Sequence, residues 1–143
     1  MIKKERTYFV DGSISADFVA EEIRKHSSKK DIGAHAFFLG QVRADLIEGK
    51  EVKEIDYSAY KEMANPEFGK IREAAFGKYE LSCLHIFHSL GKVKAGEISL
   101  FVLVSGKHRK DCFASLEEIV EEIKKKVPVW KKEIFEDGKT HWV

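Results

Sequence analysis

Alternation of side chains marks the strands of this chain, and three- and four-residue spacing marks its helices. Ile98, Leu100, Val102 and Val104 alternate with Ser99, Phe101 and Leu103, which predicts a strand over 97–105. Ala34, Ala36 and Phe38 alternate with His35, Phe37 and Leu39 across 32–42, so both faces of that strand are at least half buried. Further strands are predicted at 8–10, 52–60 and 81–90. Leu116, Ile119, Val120, Ile123 and Val127 fall at helical spacing, which predicts a helix from about 111 to 126, ended by Pro128. An earlier helix runs from Ser15, its cap, to about His26, with Ile14 and Val19 as a hydrophobic staple. Asn65-Pro66 predicts the start of a middle helix that continues to about Lys78. The polar stretch 44–51 contains Gly49 and reads as a mobile loop. Asp137-Gly138, between short apolar stretches, is a type I′ hairpin signal. Strands and helices mix without strict βαβ order. The expected class is therefore α+β, with a mixed, mostly antiparallel sheet and about three helices.

Composition narrows the function classes. The 143 residues suit one domain, 1–143, and 43% apolar with 34% charged residues describes a soluble globular chain. A net charge of +1 supplies no long-range pull toward nucleic acid or membrane, so an anion site here must be a local cluster of bases. No apolar run approaches the roughly 20 residues of a spanning helix. The start, Met1 to Arg6, has no apolar signal region behind it, and the cytoplasm is the expected location. Cys83 and Cys112 read as small buried hydrophobes, with a nucleophilic Cys112 near a helix start as the alternative.

Candidate chemistry is basic. Gly106-Lys107-His108-Arg109 joins a strand to a helix N-terminus, where free N–H groups favour anions. Arg43 stands at a strand end after Phe-Phe-Leu-Gly. Lys124 lies on the last helical turn, and Lys131 follows across the proline, with Trp130 beside it as a candidate apolar wall. A neighbouring cation or an apolar wall lowers a lysine pKa and frees the amine for proton transfer or nucleophilic attack. Each of these groups, taken alone, also reads as solvated surface charge. The histidines show no metal spacing: His26, His35 and His141 are isolated, and His85 and His88 face opposite ways on a strand. No metal site is expected.

Several of these residues form an ordered pattern. Gly33-Ala34, Phe38 to Arg43, Tyr57 with Tyr60 and Met63-Ala64, Gly96-Glu97, Ser105 with His108-Arg109, Phe113-Ala114, and Lys124 with Pro128 to Glu133 occur in sequence. This pattern resembles the large, catalytic subunit family of molybdopterin synthase, over nearly the whole chain. The resemblance implies an α/β-hammerhead fold and a homodimer. Each copy would bind one small ubiquitin-like sulfur carrier ending in Gly-Gly, giving a heterotetramer. The implied activity is sulfur transfer from the carrier's C-terminal thiocarboxylate to cyclic pyranopterin monophosphate, forming the molybdopterin dithiolene, with no further cofactor. By position, Lys124 and Lys131 would be catalytic. Arg43, His108 and Arg109 would hold substrate, and Gln41, Val42, Lys132 and Glu133 would line the same pocket.

Two substitutions depart from the family pattern: Ser89, where Arg commonly follows the His, and Ser58, where an acidic residue is common. The chain also ends at Val143, where many members continue into a basic tail. Ser89 and the short C-terminus support an alternative, a non-catalytic module that binds phosphate, pterin or carrier.

Overall fold

The computed structural model describes residues 6–143; the reading of residues 1–5 lies outside them. Among the described residues the chain forms eight strands and three helices. β1 (Phe9–Asp11) leads to α1 (Ala16–Arg24), then β2 (Ala34–Gln41), β3 (Leu46–Ile47), β4 (Lys50–Ala59) and α2 (Lys61–Lys78). β5 (Cys83–Lys94), β6 (Ile98–Gly106), α3 (Arg109–Lys126), β7 (Val129–Phe135) and β8 (Thr140–Trp142) follow. The sheet order is β2-β6-β5-β4-β7-β8, with β1 on β5 and β3 on β4. Among the described residues only β1 pairs parallel; the other pairings are antiparallel. The expected α+β class with a mostly antiparallel sheet and three helices is thus what forms.

β5 organises the whole. Residues 83–88 pair with β6, and residues 91–94 pair with β4. At the start of the second stretch Gly91 has φ 86°, a left-handed conformation that glycine adopts without strain. The strand there passes from one half of the sheet to the other. Its alternation divides two cores. Leu84 and Ile86 join the larger one, built with Phe68 and Ile71 of α2 and Ile119 and Ile123 of α3. Phe87 turns to the other face, where Phe101 and Leu103 pack under Val19 of α1.

α1 starts as the sequence predicts. Ser15 Oγ accepts from the Phe18 N–H at 3.1 Å, and Ile14 and Val19 are both buried. Ser15→Ala should cost about 1 kcal/mol of stability, read from urea unfolding midpoints.

Three local expectations are corrected. α2 begins at Lys61, with Tyr60 as its cap, so Pro66 lies inside the helix. Lys61 to Ala64 are good helix formers, and burial of Ala64 and Phe68 outweighs the one hydrogen bond that proline forgoes. Asn65, freed from capping, accepts from the Tyr8 N–H at 3.1 Å. The stretch 44–51 is not a loose loop but the β3–β4 hairpin. Glu48 (φ 51°) and Gly49 (φ 79°) form its two-residue turn, the type I′ signature. At Asp137-Gly138 a hairpin does form, but only Gly138 is left-handed (φ 84°), which is not a type I′ turn. The Phe135 N–H bonds to the Lys139 carbonyl at 2.9 Å across a three-residue loop. Asp137 Oδ1 accepts from the Lys139 N–H at 3.0 Å, steadying the turn.

Candidate functional site

A cleft of about 570 Å³ opens at the seam where β5 crosses between the two halves of the sheet. The end of β2 supplies Gln41, and the chain just after it supplies Val42 and Arg43. A bulge between Gly40 and Gln41 ends the regular β2–β6 register at this point. The last turn of α3 contributes Ile123 and Lys124, and β7 contributes Val129, Lys131 and Glu133 at alternate positions. Tyr57 and His88 form part of the floor.

Proline chemistry explains how the two lysines meet. Pro128 cannot continue α3, so the chain leaves the helix at Val127 and enters β7 directly. The helix end and the strand start therefore wall the same cleft. Lys131 is half-buried, and desolvation followed by the nearby Lys124 charge pushes its pKa below the ordinary lysine value. Lys124 is exposed. Neither lysine has a carboxylate partner among the described residues, whereas Lys126 is tied to Glu122 at 2.6 Å. Arg43 sits at the rim beside Asp45, Nε to Oδ1 3.4 Å, with its side chain 82% exposed. So exposed a pair is weak and releases the guanidinium readily to a stronger anion. Glu133 is buried and accepts from His141 Nδ1 at 3.2 Å.

Gln41, Val42, Arg43, Lys124, Lys131 and Glu133 are thus gathered around one cleft, as the resemblance implies. Four residues are not. Lys132 follows the strand alternation to the opposite face, where its Nζ lies 5.5 Å from the Trp142 ring centre. Trp130 turns away for the same reason and is 48% exposed, so it is not the apolar wall. That wall is Ile123, Val127 and Val129. His108 and Arg109 stand exposed at the far end of α3 from Lys124, about 22 Å along the helix axis. Within one chain they do not reach the cleft. Cys112 is buried with its thiol directed at the Ala34 carbonyl, and burial pushes its pKa up, the reverse of a nucleophile.

His88 is the residue that spacing alone misses. It lies on β5 directly before the crossover, packed edge-on to Tyr57 and Phe9. Its Nδ1–H donates to the Ser89 carbonyl at 2.8 Å. Burial, reinforced by Lys131 and Lys124, lowers its pKa from 6.5 to about 4. No local signal marks it, because the lysines it faces are distant in the sequence. An unfolded chain takes up this proton near pH 6.5, and the native chain does so only near 4. Stability should therefore fall by about 3 kcal/mol as pH drops through that window. Urea unfolding at pH 7 and pH 4 in wild type and His88→Gln measures the share that the substitution abolishes. Ser89, the departure from the family pattern, is fully buried, and its Oγ has no hydrogen-bond partner among the described residues. Ser58 is exposed on β4 opposite Trp130.

Comparison with known proteins gives a consistent answer. The family model described as MoaE protein matches residues 13–126, more than half of the chain. A molybdopterin synthase catalytic subunit from Pyrococcus abyssi is 38% identical over 127 residues, covering 89% of this chain and 84% of the relative. One from Aspergillus fumigatus is also 38% identical, over 82% of this chain, which spans 62% of that longer relative. Among solved structures, molybdopterin synthase from Staphylococcus aureus superposes with a TM-score of 0.83 at 30% identity, covering 99% of this chain and 98% of that one. A Helicobacter pylori complex of subunits 1 and 2 of molybdopterin-converting factor shares the fold, with a TM-score of 0.80 at 23% identity over 94% of this chain and 88% of that one.

Proposed function

The chain belongs to the MoaE protein family, and from that premise we propose that it is the catalytic subunit of a molybdopterin synthase. It is a sulfurtransferase. Sulfur passes from the thiocarboxylated C-terminus of a small ubiquitin-like carrier to cyclic pyranopterin monophosphate, and two rounds form the dithiolene. The partners are that carrier, ending in Gly-Gly, and a second copy of the chain, together a heterotetramer. No helix among the described residues is long and apolar enough to cross a membrane, and the cytoplasm is the setting this reading implies.

The observation that carries the reading is the convergence of Arg43, Lys124 and Lys131 on one cleft with an apolar wall. Both substrates are anions, and two glycines without side chains suit entry between α3 and β7. The two lysines divide the work by environment. Lys131, half-buried with a depressed pKa, is the proton-transfer group. Lys124, exposed at the mouth, is the fixed cation that stabilises charge on the acyl group as it leaves sulfur. Arg43 exchanges Asp45 for the substrate phosphate. Glu133 and Gln41 border the same space. His108 and Arg109 serve the cleft of the second copy, which gives their exposure at the start of α3 a purpose.

The test is turnover. Purified chain, thiocarboxylated carrier and the pterin precursor are combined, and the dithiolene product is measured by mass spectrometry. Product at substoichiometric chain supports the assignment. Binding of carrier or precursor by calorimetry without turnover favours the binding-module alternative, for which the buried Ser89 in place of Arg is the specific observation.

A further inference from the structure

Two histidines and a cysteine, remote in sequence, meet on the sheet face opposite the cleft. His26, just beyond the end of α1, and Cys83 and His85, two residues apart on β5, place their ligand atoms within 4.8 Å of one another. Sequence spacing makes His26 isolated; the fold corrects that. Cys83 and His85 share a face because strand side chains alternate, and α1 lowers His26 onto them. The geometry points to a binding site for a borderline-soft divalent cation of the zinc class, held by His26 Nε2, His85 Nε2 and Cys83 Sγ.

Three observations favour it. His26 Nδ1–H donates to the Glu22 carbonyl at 2.7 Å, which fixes the tautomer and leaves Nε2 as a bare lone pair. An outer hydrogen bond of this kind is what orients metal-bound histidines. His26 Nε2 lies 3.1 Å from His85 Nε2. Two nitrogens on one tetrahedral zinc, each about 2.0–2.1 Å from the metal, stand about 3.3 Å apart, so little movement is needed. Cys83 is buried and accepts from Lys29 Nζ at 3.0 Å, a contact that a thiolate strengthens.

The groups facing the cluster are mixed in sign. Lys29, Arg6 and Arg72 are cationic, and Glu22 opposes them. The Cys83 thiolate lowers the charge of the ion it binds. In the metal-free form His85 Nε2–H donates to His26 Nε2. On binding, that proton moves to His85 Nδ1 and the Cys83 thiol proton is released to solvent, so the step balances with one proton lost. Three protein ligands leave a fourth position for water. The ion pins the end of α1 to β5. His35, its ring 6.2 Å from that of His26, hydrogen-bonds Ser105 Oγ at 2.6 Å and stays outside the set.

The experiment is direct titration of the purified full chain with Zn²⁺, and with Co²⁺ as a spectroscopic probe. The expected results are one equivalent bound per chain, a thiolate-to-cobalt charge-transfer absorption, and a higher Tm. Cys83→Ser and His85→Gln should each weaken binding by at least about 100-fold, the upper end of what loss of an outer partner brings. Circular dichroism of the metal-free variants checks their fold. His85 is only half-buried, so His85→Gln decides the matter if Cys83→Ser does not fold. Absence of saturable binding, absence of the charge-transfer band, or unchanged affinity in a folded variant overturns the site. The readout is independent of sulfur transfer, so its failure leaves the proposed reaction untouched.

Discussion

Lys131→Ala should lower the rate of dithiolene formation by about 10²- to 10⁴-fold, the range expected when a positioned proton-transfer group is removed. Lys124→Ala should reduce it by about 10²- to 10³-fold through loss of a cation aimed at developing charge. Neither change should unfold the protein. Lys124 is exposed, and Lys131 is a partly desolvated cation beside another, so its removal relieves repulsion. Single-turnover assays with thiocarboxylated carrier separate the chemical step from binding. Lys131→Arg refines the assignment: the charge stays, but guanidinium does not give up a proton in this range. Wild-type activity in Lys131→Ala would remove the lysine from the mechanism.

Phe68→Ala should cost about 3–5 kcal/mol, the usual penalty for emptying a buried aromatic site. Phe68 is fully buried and lies 5.1 Å from Tyr8, 5.5 Å from Phe9 and 6.3 Å from His88, ring centre to ring centre. Its loss removes packing common to α2, β1 and the cleft floor. Urea unfolding gives the stability change. Water entering the void should also return the His88 pKa toward its ordinary value, which titration of the imidazole by NMR detects. An unfolding midpoint close to wild type would mean that the core collapses to fill the gap.

Much of this molecule was legible before any coordinates. The strand positions of β6 and β2, the Ser15 cap and the break at Pro128 are local signals that formed where expected, but the His35, Phe37 and Leu39 face of β2 is exposed rather than half buried, because no element of this chain covers it among the described residues. Asn65-Pro66 misled because tertiary burial of Ala64 and Phe68 carried α2 back to Lys61. Glu48-Gly49 was missed because Glu is a rare occupant of the left-handed position that a type I′ turn demands. In the candidate site, the break at Pro128 puts Lys124 and Lys131 on adjoining elements, but only the family resemblance separates them from solvated surface charge. Lys132 and Trp130 leave the cleft because they occupy the β7 positions that alternate with Val129, Lys131 and Glu133. His88 and the His26–His85 pair depend on contacts between distant segments, which periodicity does not encode.

The length of α3 has a final consequence. It holds Lys124 at one end and His108 and Arg109 at the other, too far apart to act on one phosphate inside a single chain. On the proposed reading a complete catalytic cleft is then shared property, assembled from two copies. Specific activity should decline on dilution, and below the dissociation constant of the pair the rate should vary with the square of protein concentration.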